Sequence, residues 1–237
     1  MPIRHLSHRC RALCATALLA AGLLAGCATG SGVPAGLDPV SSPEWATDMA
    51  RFAAEDAATP PPERPIVFTG SSSVRMWETL AADFPDATVL NRGFGGSQVR
   101  DAIWYADEVA LRYRPRQIVL YAGDNDIAEG RSAAQVLADT QAFVTRIRAT
   151  RPGTPIALLG IKPSPSRANL LGVQRDANTA LRDWAATQRN VAYIDVFTPM
   201  LDANGVPREE LFIADRLHMN AAGYAMWKEI IGPYLVR

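Results

Sequence analysis

Four short stretches carry the side chains that could do chemistry. Gly70-Ser71-Ser72-Ser73 sets three hydroxyls between an apolar run and a helical pattern. A serine there stands at a helix N-terminus, where free N–H groups and the helix dipole favour developing negative charge. The same place suits a serine that merely caps the helix, so no single hydroxyl is yet a nucleophile. Asn91-Arg92-Gly93-Phe94-Gly95-Gly96-Ser97 brings glycines that let backbone N–H groups approach a ligand. Gly123-Asp124-Asn125-Asp126 offers a side-chain amide able to donate to an anion, beside aspartates that suit capping or solvating a loop. Asp215-Arg216-Leu217-His218 puts a carboxylate three residues before an imidazole. That acid can reach one ring nitrogen and leave the other to accept a nucleophile's proton. Asp195 is a second acid able to orient His218. Hydroxyl, imidazole, acid and N–H donors are together the parts of nucleophilic acyl transfer.

These stretches depend on alternating strands and helices. Short runs apolar on both faces predict strands over 65–69, 88–91, 117–122, 155–161 and 191–196. Helical spacing predicts helices over 45–57, 73–82, 98–113, 133–149, 176–188 and 220–236. Five βα units predict an α/β fold, a three-layer α/β/α domain around a five-stranded parallel, flavodoxin-like sheet. Ligands of such sheets bind outside the carboxyl ends of the strands. The first three stretches directly follow strands, and the fourth lies between the last strand and the last helix.

The chain has 237 residues, enough for one substantial domain, with 24 basic and 24 acidic side chains. The N-terminus reads as a targeting segment. Arg4, Arg9 and Arg11 precede an apolar stretch from 12 to 25 that is short for a membrane span. Leu24-Ala25-Gly26-Cys27 resembles the lipobox of bacterial lipoproteins, which implies cleavage before Cys27 and its acylation. The expected organisation is a signal peptide over 1–26, a Gly/Ser/Pro-rich tether over 27–44 and one folded domain over 45–237. The exported protein would be lipid-anchored in the cell envelope. Ala28 after the cysteine, in place of aspartate, points to the outer membrane, facing the periplasm.

Removal of the leader takes away Cys10, Cys14, His5 and His8, leaving His218 as the one histidine and Cys27 as the one cysteine. That excludes a disulfide framework and a His- or Cys-rich metal site. Beyond the leader 21 basic side chains face 24 acidic ones without a basic run, which argues against a nucleic-acid partner. Neither a cofactor nor an oligomeric state is indicated by any stretch.

Taken in order, the four stretches resemble the SGNH hydrolases, or GDSL-like esterases and lipases, over nearly the whole domain from Pro65 to about Trp227. The resemblance implies Ser72 as nucleophile, Asp215 and His218 as its acid and base, and an oxyanion hole made by Ser72, Gly96 and Asn125. On the Gly-x-Ser register Ser71 and Ser73 become backbone-bonded turn residues. One departure stands out: the family signature Gly-Asp-Ser has serine at position 71 here. The implied activity is hydrolysis of carboxylic esters through an acyl-enzyme, on short-chain or O-acetyl esters of envelope glycans. Alternatives are lysophospholipase or thioesterase action on longer acyl chains, or a non-catalytic lipid-anchored binding module. Loops 162–171 and 198–212, carrying Lys162, Arg167 and Arg208, are expected to give a partly polar pocket. A flavodoxin-like protein binding phosphate or FMN at 69–73 is the rival reading, and it leaves Asp215 and His218 without a purpose.

Overall fold

Strands covered by helices on both faces are largely apolar, and the central strands here follow that rule but for Thr69 and Gln117. The computed structural model describes residues 45–236; the leader, Cys27 and the tether lie outside the described residues. β1 (Ile66–Gly70), β3 (Gln117–Tyr121) and β4 (Ile156–Leu159) are buried along their whole length. β2 (Val89–Gly93) and β5 (Val191–Ile194) form the partly exposed edges. The sheet order is β2-β1-β3-β4-β5 and every pairing is parallel. This is the expected five-stranded parallel sheet flanked by helices.

The helices are α1 (Ala46–Ala58), α2 (Ser72–Arg75), α3 (Leu80–Asp83), α4 (Val99–Trp104), α5 (Ala106–Val109), α6 (Asp124–Ala128), α7 (Ala133–Thr150), α8 (Leu171–Ala186) and α9 (Ala221–Ile231). Side chains alternate across a strand, so each strand feeds two cores. Val67, Ile118 and Leu120 pack with Phe52, Ile103, Phe143 and Ile147 on the face covered by α1, α4, α5 and α7. Ile66, Phe68, Val119 and Tyr121 pack with Trp77, Tyr224 and Trp227 on the face covered by α2, α3 and α9. Trp77 meets Phe68, Phe84, Tyr224 and Trp227 at centroid distances of 5.3–6.0 Å. Fully burying side chains of this size stabilises by about 1.5–3 kcal/mol each.

Three of the expected helices take a different form. The segment 73–82 breaks into α2 and α3: the Val74 carbonyl accepts Trp77 N–H at 3.0 Å in a tight turn and Asn91 Nδ2 at 2.6 Å, while Glu78 N–H turns to the Met76 carbonyl instead of continuing the helix. The segment 98–113 divides into α4, α5 and a 3-10 turn at Leu111–Tyr113. Its buried residues are too closely spaced for one straight helical stripe, and the bends bury them all. α8 starts at Leu171, ahead of the expected 176, because its first turns bury a polar residue, Gln174, where apolar spacing gives no sign of a helix.

The chain leaves β1 toward β2 on one side and reaches β3 on the other, so the topology switches direction between β1 and β3. A crevice opens outside the carboxyl ends of strands at such a point. The loops after β1, β2 and β3 all meet there.

Candidate active site

Gly70 ends β1 with φ +117°, and Ser71 N–H donates to the Tyr121 carbonyl at 2.9 Å, so the turn is stitched to β3 before the chain enters α2. Ser72 is then the first residue of α2 and is only partly buried, while Ser71 and Ser73 point into the protein at 2% exposure. The Tyr224 hydroxyl donates to the Ser73 carbonyl at 3.0 Å, tying α9 to the same turn. Ser71 makes no side-chain cap on α2. Nothing in the structure explains the serine at 71 where the family carries aspartate.

Gly96 has φ +82° in the loop after β2, and a Cβ built there meets no atom within 4 Å, so its backbone faces open space. The loop is held by Phe94 N–H on the Gly70 carbonyl (2.9 Å), Ser97 Oγ on the Phe94 carbonyl (2.9 Å) and Trp45 Nε1 on the Gly95 carbonyl (2.8 Å). Among the described residues the N–H groups of Ser72 and Gly96 have no protein acceptor. Asn125, early in α6, donates from Nδ2 to the Ser97 carbonyl at 3.0 Å and accepts at Oδ1 from Arg167 Nη2 at 3.1 Å. A primary amide has two N–H donors, so one remains available at the crevice.

His218 lies in a turn written almost entirely by Asp215. Asp215 Oδ1 accepts the backbone N–H groups of Leu217 and His218, both at 2.9 Å, and Oδ2 lies 2.6 Å from His218 Nδ1. Burial works to raise the Asp215 pKa, but the hydrogen bonds from the His218 ring and the two backbone N–H groups outweigh it and hold the carboxyl at about 2. An ionised carboxylate accepts only, so Nδ1 carries the proton and Nε2 is left as the acceptor. Nε2 lies 2.9 Å from Ser72 Oγ. Asn220 caps α9 directly behind the turn, accepting from Ala222 and Gly223 N–H at 2.9 and 3.2 Å. The other acid considered for His218, Asp195, accepts instead from Phe197 and Thr198 N–H, closing the turn after β5.

Neither aspartate beside Asn125 is solvated, for both are buried; Asp126 accepts the first N–H of α4, from Val99. Asp124 sits between Lys162 (3.1 Å) and Arg167 (2.8 Å). Burial raises its pKa, and the two cations overcome that and lower it. Lys162 is therefore a buried counter-ion rather than a pocket-lining cation, and Arg208 pairs with Glu210. Of the three cations expected around the pocket, only Arg167 reaches the site. Asp126 accepts from Val99 N–H at 3.0 Å. Burial pushes its pKa up to about 7, Asp139 and Asp101 adding to the rise against the Val99 hydrogen bond.

A carboxyl raised from about 3.9 in the unfolded chain to about 7 in the fold keeps its proton longer when folded. Its contribution is fully present below about pH 4 and is lost as pH climbs toward 7. Asp126→Asn keeps an acceptor for Val99 without the ionisation. The wild-type stability is expected to fall between pH 4 and 7 relative to that of Asp126→Asn, with a gap on the order of a few kcal/mol by pH 8. Thermal melts of both proteins across that range check it, and parallel curves would refute it.

Ser72, Gly96, Asn125 and His218 line one cleft of about 460 Å³, with Asp48, Arg75, Gly95 and Leu217 completing its wall. All five sequence-assigned site residues of the domain meet: four line the cleft and Asp215 holds His218 from behind. The contributions of Arg167 and Trp45 were not visible in the motifs. Among the described residues no group of three or more His, Cys, Asp or Glu side chains converges as a metal site would require, and no helix is long and apolar enough to cross a membrane.

Residues 59–226 match the GDSL-like Lipase/Acylhydrolase family. No curated protein sequence matches the chain. Among solved structures, the chain is similar to a Streptococcus pneumonia protein described with reference to platelet activating factor (TM-score 0.72, 23% identity, covering 80% of this chain and 92% of that one). A GDSL-like lipase from Bacteroides thetaiotaomicron is also similar (TM-score 0.65, 18% identity, 78% and 96% covered). So is a lipase/acylhydrolase from Enterococcus faecalis (TM-score 0.58, 19% identity, 72% and 94% covered). At these identities the structures speak for the fold, and the family match spans well over half of the chain. The chain belongs to the GDSL-like lipase and acylhydrolase family, a family of hydrolases that act on esters.

Proposed function

We propose that the protein is a serine esterase in which Ser72 is the nucleophile, His218 its general base and Asp215 the acid that holds the imidazole. The observation that carries this reading is the continuous line from Asp215 Oδ2 through His218 to Ser72 Oγ, at 2.6 and 2.9 Å, beside donors with no protein acceptor. His218 Nε2 takes the Ser72 proton as Oγ attacks an ester carbonyl. The carbonyl electron pair moves to oxygen, where the N–H groups of Ser72 and Gly96 and the Asn125 amide receive it. Collapse expels the alcohol, which takes the proton from the imidazolium. Water then repeats the cycle on the acyl-enzyme.

The substrates proposed are short-chain or O-acetyl esters, with acetylated envelope glycans as the class that suits the cleft. Its wall mixes the Arg75 guanidinium and backbone amides with a single larger aliphatic side chain, Leu217, which offers little apolar surface to a long acyl chain. Rates on nitrophenyl esters from acetate to octanoate test this. A steep fall in kcat/KM beyond acetate or butyrate is expected; a rise toward octanoate would overturn it in favour of lysophospholipase or thioesterase action.

The proposed setting is the bacterial envelope, with the domain tethered through acylated Cys27 and facing the periplasm. The Leu24-Ala25-Gly26-Cys27 sequence supports it, since two or more acyl chains make a stable anchor. The mass of the membrane-extracted N-terminal peptide tests it, an unacylated peptide being the contrary result.

A further inference from the structure

An oxyanion donor that is a side-chain amide has a weakness that backbone N–H groups lack. Rotating the carboxamide by half a turn would present a carbonyl oxygen to the developing negative charge. The surroundings of Asn125 remove that ambiguity. On one side its Nδ2 faces the Ser97 carbonyl at 3.0 Å, a group that only accepts. On the other its Oδ1 faces Arg167 Nη2 at 3.1 Å, a group that only donates. A flipped amide would set oxygen against oxygen and N–H against N–H.

We infer that Arg167 is a positioning residue for ester hydrolysis, holding the Asn125 carboxamide so that its free N–H faces the oxyanion. This rests on the oxyanion role proposed for Asn125. A cation on Oδ1 also polarises the amide and makes its N–H a better donor. Arg167 is itself fixed by the residue next to Asn125. Its Nη1 lies 2.8 Å from Asp124 Oδ1, an ion pair too bent to count as a hydrogen bond. Asp124 is buried and held from its other sides by Lys162 Nζ (3.1 Å) and Gln174 Nε2 (3.3 Å). One planar guanidinium thus spans two adjacent side chains, the carboxylate that locates it and the amide it orients, as its fork geometry allows.

The segment carrying Arg167 also touches the other half of the site. It is a 3-10 turn, Pro165–Leu170, following the loop after β4. Ser166 N–H donates to the Arg216 carbonyl at 3.0 Å, inside the turn that holds His218. Residues 166 and 167 therefore brace the base-bearing turn and the oxyanion amide together. The loop after β4 contains none of the four motifs, yet it fixes the relative placement of two of them.

The test uses steady-state kinetics of the whole domain on a short nitrophenyl ester. Arg167→Met is expected to lower kcat by roughly 5–20-fold, less than the 10²–10³-fold of deleting an oxyanion donor, with KM changed by less than about 2-fold. In the Asn125→Ala background the same substitution is expected to change kcat no further. Arg167→Lys keeps a cation beside Asp124 and so serves if Arg167→Met does not fold. One ammonium cannot span both neighbours as the guanidinium does, and kcat is again expected to fall. A rise in KM at unchanged kcat would make Arg167 a substrate contact and overturn the inference. So would an equal slowing with and without Asn125, or a loss of melting temperature at full kcat. If Asn125→Ala itself leaves kcat intact, the oxyanion assignment falls, a result distinct from failure of Arg167 alone.

Discussion

Ser72→Ala is expected to lower ester turnover by roughly 10⁶-fold, the scale seen when a triad nucleophile is removed, while the fold persists. The residue is partly exposed at the start of a four-residue helix, and among the described residues its side chain bonds only to His218. Removing one exposed hydroxyl changes stability by about 0.5 kcal/mol or less. Its neighbours make the experiment specific. Ser71 makes no side-chain cap and contributes through its backbone, where its N–H meets Tyr121 and its carbonyl receives Val74 and Arg75 N–H. Ser73 supplies a carbonyl to Tyr224. Ser71→Ala and Ser73→Ala should therefore keep turnover within about 10-fold and still react with a fluorophosphonate, and Ser72→Ala should not react. Labelling of Ser72→Ala, or silence of the wild type, would remove the serine mechanism.

Gly70→Ala is expected to destroy the fold rather than the chemistry. A Cβ at this position would lie 1.8 Å from the Tyr121 carbonyl oxygen and 2.6 Å from its carbon, and φ is +117°. The obstructing atoms are backbone, and they belong to the paired strand at the centre of the sheet. Neither atom can turn aside as a side chain would. Relief would require parting β1 from β3 at this end and losing the Ser71–Tyr121 hydrogen bond at 2.9 Å. A cost above about 4 kcal/mol is expected, a large part of the 5–15 kcal/mol typical of a whole domain. Soluble yield and the urea midpoint measure it; an unchanged midpoint would show that the strands part easily.

The sheet was legible because buried parallel strands are written as unbroken apolar runs, and Ile66-Val67-Phe68 and Ile118-Val119-Leu120 read directly as such. The site loops were legible because strand ends place them. Helix ends were less so. The Asn91 amide that binds the Val74 carbonyl at the end of α2 comes from 17 residues away, and no local pattern announces it. Lys162 and Asp124 were misjudged for a related reason. A charged residue reads as solvent-facing until its partner is known, and here the partners are 38 residues apart. Arg167 was recognised as a charge near the pocket, but its contact with Asn125 at 42 residues' separation belongs to the tertiary structure alone.

The turn that holds His218 has a consequence for when activity arises during folding. Asp215 and His218 meet within four consecutive residues, so their contact closes at little cost in chain entropy. Ser72 is 146 residues away, and the Tyr224 contact that docks α9 on its turn spans 151. On the proposed roles, a chain that has formed only its first strands already owns the hydroxyl and the donors after β1, β2 and β3, but not the His218 that would serve as base. Hydrolysis is therefore expected only once the turn carrying His218 has docked on the first-strand loop, and a chain that ends before that turn is expected to be silent toward esters.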